Sequence, residues 1–231
     1  MEYPNITSGI FLRRPNRFIA HVEIEGREEI CHVKNTGRCR ELLVPGCTVI
    51  LSESDNPARK TKYDLIAVYK VRRNKPPLLI NMDSQIPNDV AEEWLKSGCL
   101  FSKSAVFKRE VTFGKSRFDF YVEDGDLKAF VEVKGVTLEN DGVAMFPDAP
   151  TERGIKHLNE LAAAVSCGYG AYILFIIQMK DVNLFCPNDT THKAFGDALR
   201  SAHKKGVKLL AIDCKVKEDS ILADGPISIS L

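Results

Sequence analysis

The segment that decides the fold is GKSRFDFYVEDGDLKAFVEVKG, residues 114–135, which has the pattern of a β-hairpin. Asp124-Gly125 is a strong signal for a two-residue turn, because glycine readily adopts the positive φ that tight hairpin turns require. With these two residues in the turn, we expect Glu123 to face Asp126. The pairing then continues along both strands.

This pairing assigns every hairpin residue to a face, because side chains alternate along a strand. One face suits a core and carries Phe118, Phe120, Val122, Ala129, Val131 and Val133. The other carries Arg117, Asp119, Tyr121, Phe130, Glu132 and Lys134. Asp119 then lies opposite Phe130 and diagonal to Glu132, which brings the two carboxylates close enough to share a cation. A slip of one residue would move Asp119 to the other face and remove this arrangement.

The polar face has the residue types of a metal-dependent hydrolytic site. Two neighbouring carboxylates repel each other unless a counter-charge lies between them, and oxygen ligands favour Mg²⁺ or Mn²⁺. Lys134 follows Glu132 on the same face, where an ammonium group can position water or stabilise a phosphodiester transition state. We therefore predict Asp119, Glu132 and Lys134 as catalytic residues, with the two acids as metal ligands. An ordinary solvated ion pair is the alternative for a Glu-x-Lys on a strand.

A helix is predicted shortly after the hairpin. Thr151 is a suitable N-cap, and the helix is expected to run to Ser166, just before a glycine. Arg153 and His157 lie four residues apart, so they share a face near the start of this helix. Beside the hairpin, Arg153, Lys156 and His157 would bind phosphate or orient water. A solvated charged helix face is the alternative.

The first 82 residues have a different pattern, with short strands separated by turns. Candidate strands cover 18–25, 29–33, 48–52 and 63–72, and their spacing favours a small barrel or sandwich. Pro76-Pro77 and the polar stretch 81–88 indicate a boundary. We therefore predict one domain over 1–82 and a second over 83–231. In the second, strands and helices alternate as in α/β domains.

Basic residues are concentrated in the first of these domains. Residues 1–82 hold 14 basic and 9 acidic side chains, a net charge of +5, whereas the remaining 149 residues hold 18 and 22, a net charge of −4. Arginines beside phenylalanines suit a nucleic-acid strand, which would be bound with little sequence preference. We predict nucleic-acid contacts from Arg13, Arg14, Arg17, Asn35, Thr36, Arg38, Arg117, Arg153, Lys156 and His157. Chance surface charge is the alternative.

Composition excludes several other classes of protein. The 231 residues are 44% hydrophobic and 27% charged, which is typical of a globular chain. No apolar run approaches the roughly 20 residues that cross a bilayer, and no secretory signal is visible. Seven scattered cysteines without a Cys-x-x-Cys pair disfavour disulfide and zinc frameworks, which favours a cytoplasmic location. The absence of a phosphate-cradling glycine loop and of a nucleophile motif disfavours a sugar-metabolising enzyme.

Two resemblances strengthen the interpretation of the hairpin. Asp119 followed by Glu132-x-Lys134 resembles the signature of the PD-(D/E)xK nuclease superfamily, although Phe118 replaces its proline. Longer stretches resemble the sugar fermentation stimulation protein A family: NTGR at 35–38, GxSRxDF at 114–120, VEVKxVTL at 131–138 and FPDAxTERGxKHL at 146–158. One departure is Cys39, where the family often has methionine.

The resemblance implies a fold of mixed α and β class (α/β or α+β). It consists of an N-terminal OB-like β-barrel followed by a PD-(D/E)xK nuclease-like mixed-sheet domain. Nucleases of this superfamily often take a further metal ligand from the preceding helix, which we predict over 89–96 with Asn88 as its N-cap. Glu93 is our candidate for that ligand, and Glu92 is the alternative. The resemblance also implies DNA binding and a regulatory link to sugar metabolism.

Two functional hypotheses follow from these observations. The first is a Mg²⁺- or Mn²⁺-dependent nuclease that acts on DNA, or alternatively on RNA. The second is a non-specific DNA-binding regulator linked to sugar metabolism, which keeps the same residues but cleaves little or not at all.

Overall fold

The structure is a computed structural model that describes residues 1–35 and 37–231. The chain forms two compact units, each with its own core. The first consists of Met1–Ile86, Gln178–Asp181 and Cys214–Leu222. The second consists of Pro87–Ile177, Val182–Asp213 and Ala223–Leu231. Within the described residues, no helix is both long and apolar enough to span a membrane.

The first unit contains a closed β-barrel. Its strands, in chain order, are β1 (Ile6–Arg13), β2 (Ile19–Ile24), β3 (Arg27–Val33), β4 (Thr48–Glu53), β5 (Tyr63–Arg72) and β6 (Lys75–Asn81). They are hydrogen-bonded in the order β3-β2-β1-β4-β5-β6. A parallel pairing of β3 with β5 closes the first five strands into a barrel. The predicted OB-like barrel is therefore confirmed.

The four strands predicted in this unit are present, but the sequence analysis missed two others. One is β1, and the other is β6, which runs through Pro76-Pro77 where we expected a boundary. Proline cannot donate a hydrogen bond to a neighbouring strand, so it is tolerated mainly in edge strands. Because β6 pairs only with β5 at the edge of the sheet, it accommodates both prolines.

A polar cluster lies at the seam that closes the barrel. Asp64 of β5 pairs with His32 of β3, and its Oδ1 lies 3.1 Å from Nδ1 of His32. Arg59 donates to both oxygens of Asp64, at 2.5 and 2.8 Å. Burial opposes ionisation of Asp64, but hydrogen bonds from Arg59 and His32 outweigh it and lower the pKa of this carboxyl. The seam is therefore held by an ionised carboxylate.

A second buried polar network joins the barrel unit to a segment that is distant in sequence. The side chain of Gln178 donates to the carbonyl of Asn81 at 3.2 Å and to that of Asp83 at 3.0 Å. The backbone N–H of Asn81 donates in turn to the carbonyl of Gln178 at 3.0 Å. All three residues are almost completely buried. Gln178 thus satisfies polar groups that would otherwise be buried without partners.

The second unit is built on a mixed sheet. Its strands are β7 (Val106–Phe113), β8 (Ser116–Asp124), β9 (Leu127–Val136), β12 (Gly170–Ile177), β14 (Lys208–Val216) and β15 (Ile221–Pro226), in the order β15-β14-β12-β9-β8-β7. A smaller sheet has the order β10-β11-β13-β16 and consists of β10 (Leu138–Asn140), β11 (Val143–Phe146), β13 (Leu184–Pro187) and β16 (Ser228–Ile229). β9 pairs antiparallel with β8 and parallel with β12, so it is an interior strand with neighbours on both sides.

The helices of this region are α1 (Ile86–Lys96), α2 (Glu152–Ser166) and α3 (Asp189–Lys204). Helix α2 ends where we predicted, and the Thr151 hydroxyl accepts from the backbone N–H of Gly154, which confirms the predicted N-cap. The prediction for α1 was wrong at its start. The helix begins at Ile86, so Asn88 lies inside the first turn and its side chain is free for another role.

We expect Asp64→Asn to destabilise the barrel by about 1–3 kcal/mol, because it weakens a partly buried carboxylate that accepts charge-assisted hydrogen bonds. The pKa of Asp64 is lowered in the folded state, so its contribution is present above the unfolded pKa of about 3.9. That contribution is lost as the pH falls through the folded-state value. Urea unfolding between pH 3 and 7 should therefore show a gap between wild type and variant that narrows at acid pH. Glu41→Gln, an exposed change in the same unit, serves as the control.

Candidate active site

The β8–β9 hairpin forms as predicted, but its turn lies one residue further along the chain. The ladder runs from Asp124↔Leu127 to Phe120↔Val131, so Gly125 and the residue after it form the turn. Gly125 has φ of 59°, in the left-handed region that such turns require. Every predicted pair is therefore displaced by two residues. A displacement of two keeps each side chain on its face, because the period of a strand is two.

Asp119 lies where the ladder between β8 and β9 stops. Counting on from Phe120↔Val131 brings Asp119 level with Glu132, but the pair does not continue the ladder. Instead, Oδ2 of Asp119 accepts from the backbone N–H of Val133 at 2.8 Å, and Oδ1 accepts from the side chain of Asn88 at 3.0 Å. The carboxylate thus takes the place of a backbone acceptor, and α1 holds its second oxygen.

The two neighbours of Asp119 pack against different partners. The ring of Phe118 lies 5.4 Å from that of Phe130 and 6.0 Å from that of His157, measured between centroids. Phe120 instead lies beneath the guanidinium group of Arg109. Phe118 therefore lies on the same side as Phe130, although we predicted opposite faces. Strict alternation does not extend through Asp119, which explains why the ladder is interrupted there.

Glu132 is the most deeply buried acid of the hairpin, at 2% exposure. Its Oε1 accepts from the ammonium group of Lys134 and from Nδ1 of His157. Its Oε2 is buried and has no hydrogen-bond partner in residues 1–35 and 37–231. A buried carboxylate oxygen without a partner is costly, so this atom points to a missing cationic or proton-donating partner.

His157 connects Glu132 to the start of α2. The side chain of Arg153 donates from Nε to Nε2 of His157 at 3.4 Å. Because Nε2 accepts this hydrogen bond, the ring hydrogen lies on Nδ1, and the Nδ1–H group donates a hydrogen bond to Glu132. His157 is itself buried, so this is a fixed contact. We predicted His157 as a nucleic-acid contact, and the structure places it against the carboxylate.

The pKa values of the two carboxyl groups are shifted in opposite directions. Burial, together with the nearby charge of Glu132, raises the pKa of Asp119. Burial also opposes ionisation of Glu132, but the hydrogen bond from His157 and the charge of Lys134 outweigh it and lower its pKa. The site thus has more negative charge than its own cations neutralise once both acids are ionised. A divalent cation would remove that imbalance.

The donor set fits a hard divalent cation. Asp119 and Glu132 supply carboxylate oxygens, and Oε2 of Glu132 is without a partner in the described chain. Mg²⁺ is commonly bound by one or two carboxylates together with waters and substrate phosphate, so two acids are sufficient. Among the described residues, no group of three or more His, Cys, Asp or Glu side chains is arranged to hold a metal. Glu93 is exposed on α1 and is not gathered with the other two acids into such a group.

The remaining predicted residues of this unit lie outside the contacts of Glu132. Glu92, the alternative to Glu93, forms ion pairs with Arg109 and Lys96. Arg117 is exposed, and its guanidinium group lies 3.4 Å from a carboxylate oxygen of Glu110. Lys156 donates to the backbone carbonyl of Lys115. Asn88, which sequence reasoning treated only as a helix cap, is the residue that it missed.

Four of the predicted arginines of the barrel unit line a cavity of about 510 Å³. Its lining includes Arg13, Arg14, Arg17, Arg38 and Arg40, together with apolar side chains. Arg40 was not among our predicted contacts. Phe18, which follows Arg17 in sequence, is an aromatic residue that is 54% exposed. The structure thus brings the predicted arginines together.

Asn35 and Arg13 are among the predicted residues whose side chains already bond to other parts of the barrel unit. The side chain of Asn35 accepts from the backbone N–H of Gly37 at 2.7 Å and donates to the carbonyl of Met82 at 2.9 Å. Arg13 donates to Glu28 at 2.6 Å. Thr36, which we also predicted as a contact, lies outside the described residues. Asn35 therefore shapes the loop, because both its amide nitrogen and its amide oxygen bond to the backbone.

Comparison with known proteins agrees with this architecture of an OB barrel followed by a mixed-sheet domain. A family model described as the sugar fermentation stimulation protein RE domain matches residues 85–220. A second, the SfsA N-terminal OB domain, matches residues 12–74. The chain belongs to the sugar fermentation stimulation protein family.

Relatives match over the whole chain. A sugar fermentation stimulation protein homolog of Desulfitobacterium hafniense is 63% identical over 231 residues, which is 100% of this chain and 99% of the relative. The homolog of Ruminiclostridium cellulolyticum is 57% identical over 100% of both chains. The solved structure of Pyrococcus furiosus SfsA in complex with Ca²⁺ matches with a TM-score of 0.84 at 28% identity, covering 100% of this chain and 98% of that one.

We expect His157→Ala to cost about 2–3 kcal/mol in the free energy of unfolding, because it removes a hydrogen bond to a buried charge. In a Glu132→Gln background the same change should cost at least about 1 kcal/mol less, because the buried charge is already absent. Urea unfolding of the two single variants and the double variant, without added metal, measures this coupling.

His203→Ala is the matched control, since that ring lies 3.3 Å from the carbonyl of Val207 and not beside a carboxylate. Its effect should be the same in both backgrounds. Additive effects of His157→Ala and Glu132→Gln would show that the contact does not stabilise the ionised glutamate.

Proposed function

We propose that this protein binds nucleic acid through its OB barrel and hydrolyses phosphodiester bonds at the β8–β9 hairpin with the help of Mg²⁺ or Mn²⁺. The observation that carries the proposal is the buried Glu132. Lys134 and His157 hold its Oε1, while its Oε2 has no partner among the described residues. An acid that only stabilised the fold would be expected to have both oxygens satisfied. One open oxygen beside a second carboxylate is the arrangement of a metal ligand.

The surrounding residues fix both acids before any ligand arrives. Val133 and Asn88 donate to the two oxygens of Asp119, and His157 orients Glu132. Asp119 and Glu132 would hold the cation. When bound, such a cation polarises the phosphate and lowers the pKa of attacking water. Pre-positioned ligands of this kind need no rearrangement when the cation binds.

Lys134 is the residue best placed to act on the substrate. Its side chain is 18% exposed, whereas that of Glu132 is 2% exposed, so the ammonium group reaches solvent next to the buried acid. There it would orient the attacking water or stabilise charge that develops on the phosphate oxygens. Its contact with Glu132 keeps it close to the site of the cation.

The solved structure of Pyrococcus furiosus SfsA supports a hard cation in this family, since that protein is in complex with Ca²⁺. Ca²⁺ and Mg²⁺ both prefer oxygen ligands, and carboxylates are the usual source. This agrees with a site that is built from Asp119 and Glu132.

The barrel unit supports nucleic acid as the partner, with DNA as the substrate we favour and RNA as the alternative. OB domains bind single strands through basic grooves and exposed aromatic rings. Here exposed arginines and Phe18 provide both features. Contacts of this type to the phosphate backbone are salt-dependent and carry little sequence information.

A second candidate function is a non-specific DNA-binding regulator with little or no cleavage. Two observations favour it: the ammonium group of Lys134 is already engaged by Glu132, and no third acid joins the pair in the described residues. The family name, sugar fermentation stimulation protein, agrees with a regulatory role. Under this hypothesis the hairpin would stabilise the fold, and only the barrel would contact DNA.

To separate these functions, we expect purified protein to cleave single-stranded DNA in Mg²⁺ or Mn²⁺ but not in EDTA, with RNA and duplex DNA tested in parallel. Glu132→Gln and Lys134→Ala should each lower the cleavage rate by about 100-fold or more. The first weakens a ligand of the cation, and the second removes a positive charge beside the phosphate. Gel-based rates at saturating protein measure this, and fluorescence anisotropy in EDTA measures binding.

Lys128→Ala is the matched control, because Lys128 is an exposed lysine on the same strand and pairs with Glu123 instead of Glu132. It should cleave at the wild-type rate. Strand binding without cleavage in any metal would support the regulator instead. Cleavage that persists in EDTA and in both active-site variants would exclude the proposed site.

A further inference from the structure

The arginine-lined cavity of the barrel unit is larger than backbone binding requires. Its volume of about 510 Å³ is within the range of roughly 300–1,000 Å³ that is typical of small-molecule sites. A phosphodiester group lying across a surface needs no such volume. The cavity is therefore of a size to receive a larger group than a phosphate.

Three arginines supply positive charge that the fold itself does not use. Arg17, Arg38 and Arg40 line the cavity, are exposed, and have no side-chain hydrogen bond or ion pair with residues 1–35 or 37–231. None of the described lining residues is acidic. Guanidinium groups bind phosphate through paired N–H donors, so this rim is suited to a phosphate group.

Arg14 has a different task in the same cavity. Its guanidinium group donates to the backbone carbonyls of Arg17, Asn35 and Arg38, at 2.6, 2.6 and 2.8 Å. It therefore ties together the two loops that carry the free arginines. A rim that is held in place before binding loses little conformational entropy when a ligand arrives.

The wall of the cavity is apolar next to this charged rim. Phe11, Leu12, Leu43, Pro15 and Pro45 contribute to the lining. A flat, aromatic base would bury its surface against such a wall, and arginine planes also stack on bases. A phosphate-binding rim beside an apolar wall has the two parts that recognise a nucleotide.

We infer that this cavity binds one nucleotide, with its phosphate at Arg17, Arg38 and Arg40 and its base against the apolar wall. The inference deepens the proposed nucleic-acid binding and rests on it. The nucleotide is either a free nucleoside monophosphate or one residue of a bound strand. In the second case the cavity would seat a single base while the rest of the strand follows the barrel surface.

The test measures binding of deoxyadenosine monophosphate to the full chain by isothermal titration calorimetry, in EDTA so that the metal site does not contribute. We expect one site per chain, with deoxyadenosine and inorganic phosphate each binding at least about tenfold more weakly, since each has only one of the two recognised parts. Arg17→Ala and Arg38→Ala should each weaken binding by about tenfold.

Arg73→Ala is the matched control, because Arg73 is an exposed arginine of the same unit that does not line the cavity. The affinity of this variant for deoxyadenosine monophosphate should stay within about twofold of the wild-type value. Thermal melting of each variant checks that it is folded. Competition with a labelled twelve-residue thymidine strand distinguishes the two sources: displacement shows that a strand nucleotide uses the cavity, and binding without displacement shows a site for free nucleotides.

Two results would overturn the inference. One is monophosphate binding no tighter than that of inorganic phosphate, which would leave only a simple anion site. The other is absent binding, or binding that Arg17→Ala and Arg38→Ala do not change. Cleavage assays on the same variants separate the two proposals. Nucleotide binding without any cleavage would remove the nuclease alone, and cleavage without nucleotide binding would remove this cavity alone.

Discussion

The arrangement of the second unit around β9 depends on the buried negative charge of Glu132 and on the residues that compensate it. Glu132 lies in an interior strand with partners on both sides, where an ionised carboxylate is costly unless it is compensated. Compensation comes from Lys134 of the same strand and from His157 of α2. Both act on one oxygen, so the other is left open. The same arrangement that makes the charge tolerable therefore makes it available to a ligand.

This constraint explains why α2 packs where it does. Thr151 caps the helix, and its first two turns carry Arg153 and His157. A hydrogen-bond chain therefore runs from Arg153 through His157 to Glu132. On the other side of the hairpin, α1 contributes Asn88 to Asp119. Each acid is thus held by a different helix. The geometry of the pair is set by packing, before any cation is considered.

The local sequence pattern was sufficient to predict the hairpin, but it was insufficient to predict the contacts that hold the two acids. The hairpin could be predicted because alternation and a glycine turn are local, and its two-residue displacement did no harm because faces repeat every two residues. The break in alternation at Asp119 could not be predicted, since it depends on contacts between strands. Neither could the roles of Asn88 and His157, because their partners lie 31 and 25 residues away in sequence.

The first unit is assembled from three separate segments of the chain, which has a consequence for its folding during synthesis. Asn81 and Asp83 are buried, yet the side chain that satisfies their carbonyls belongs to Gln178, about a hundred residues later. Residues 214–222 complete the same unit later still. A nascent chain in which only the barrel strands have left the ribosome would lack Gln178 and residues 214–222. The surface of the barrel unit that these residues cover would then be exposed to solvent. The N-terminal unit therefore reaches its final form only after residues 214–222 have been translated.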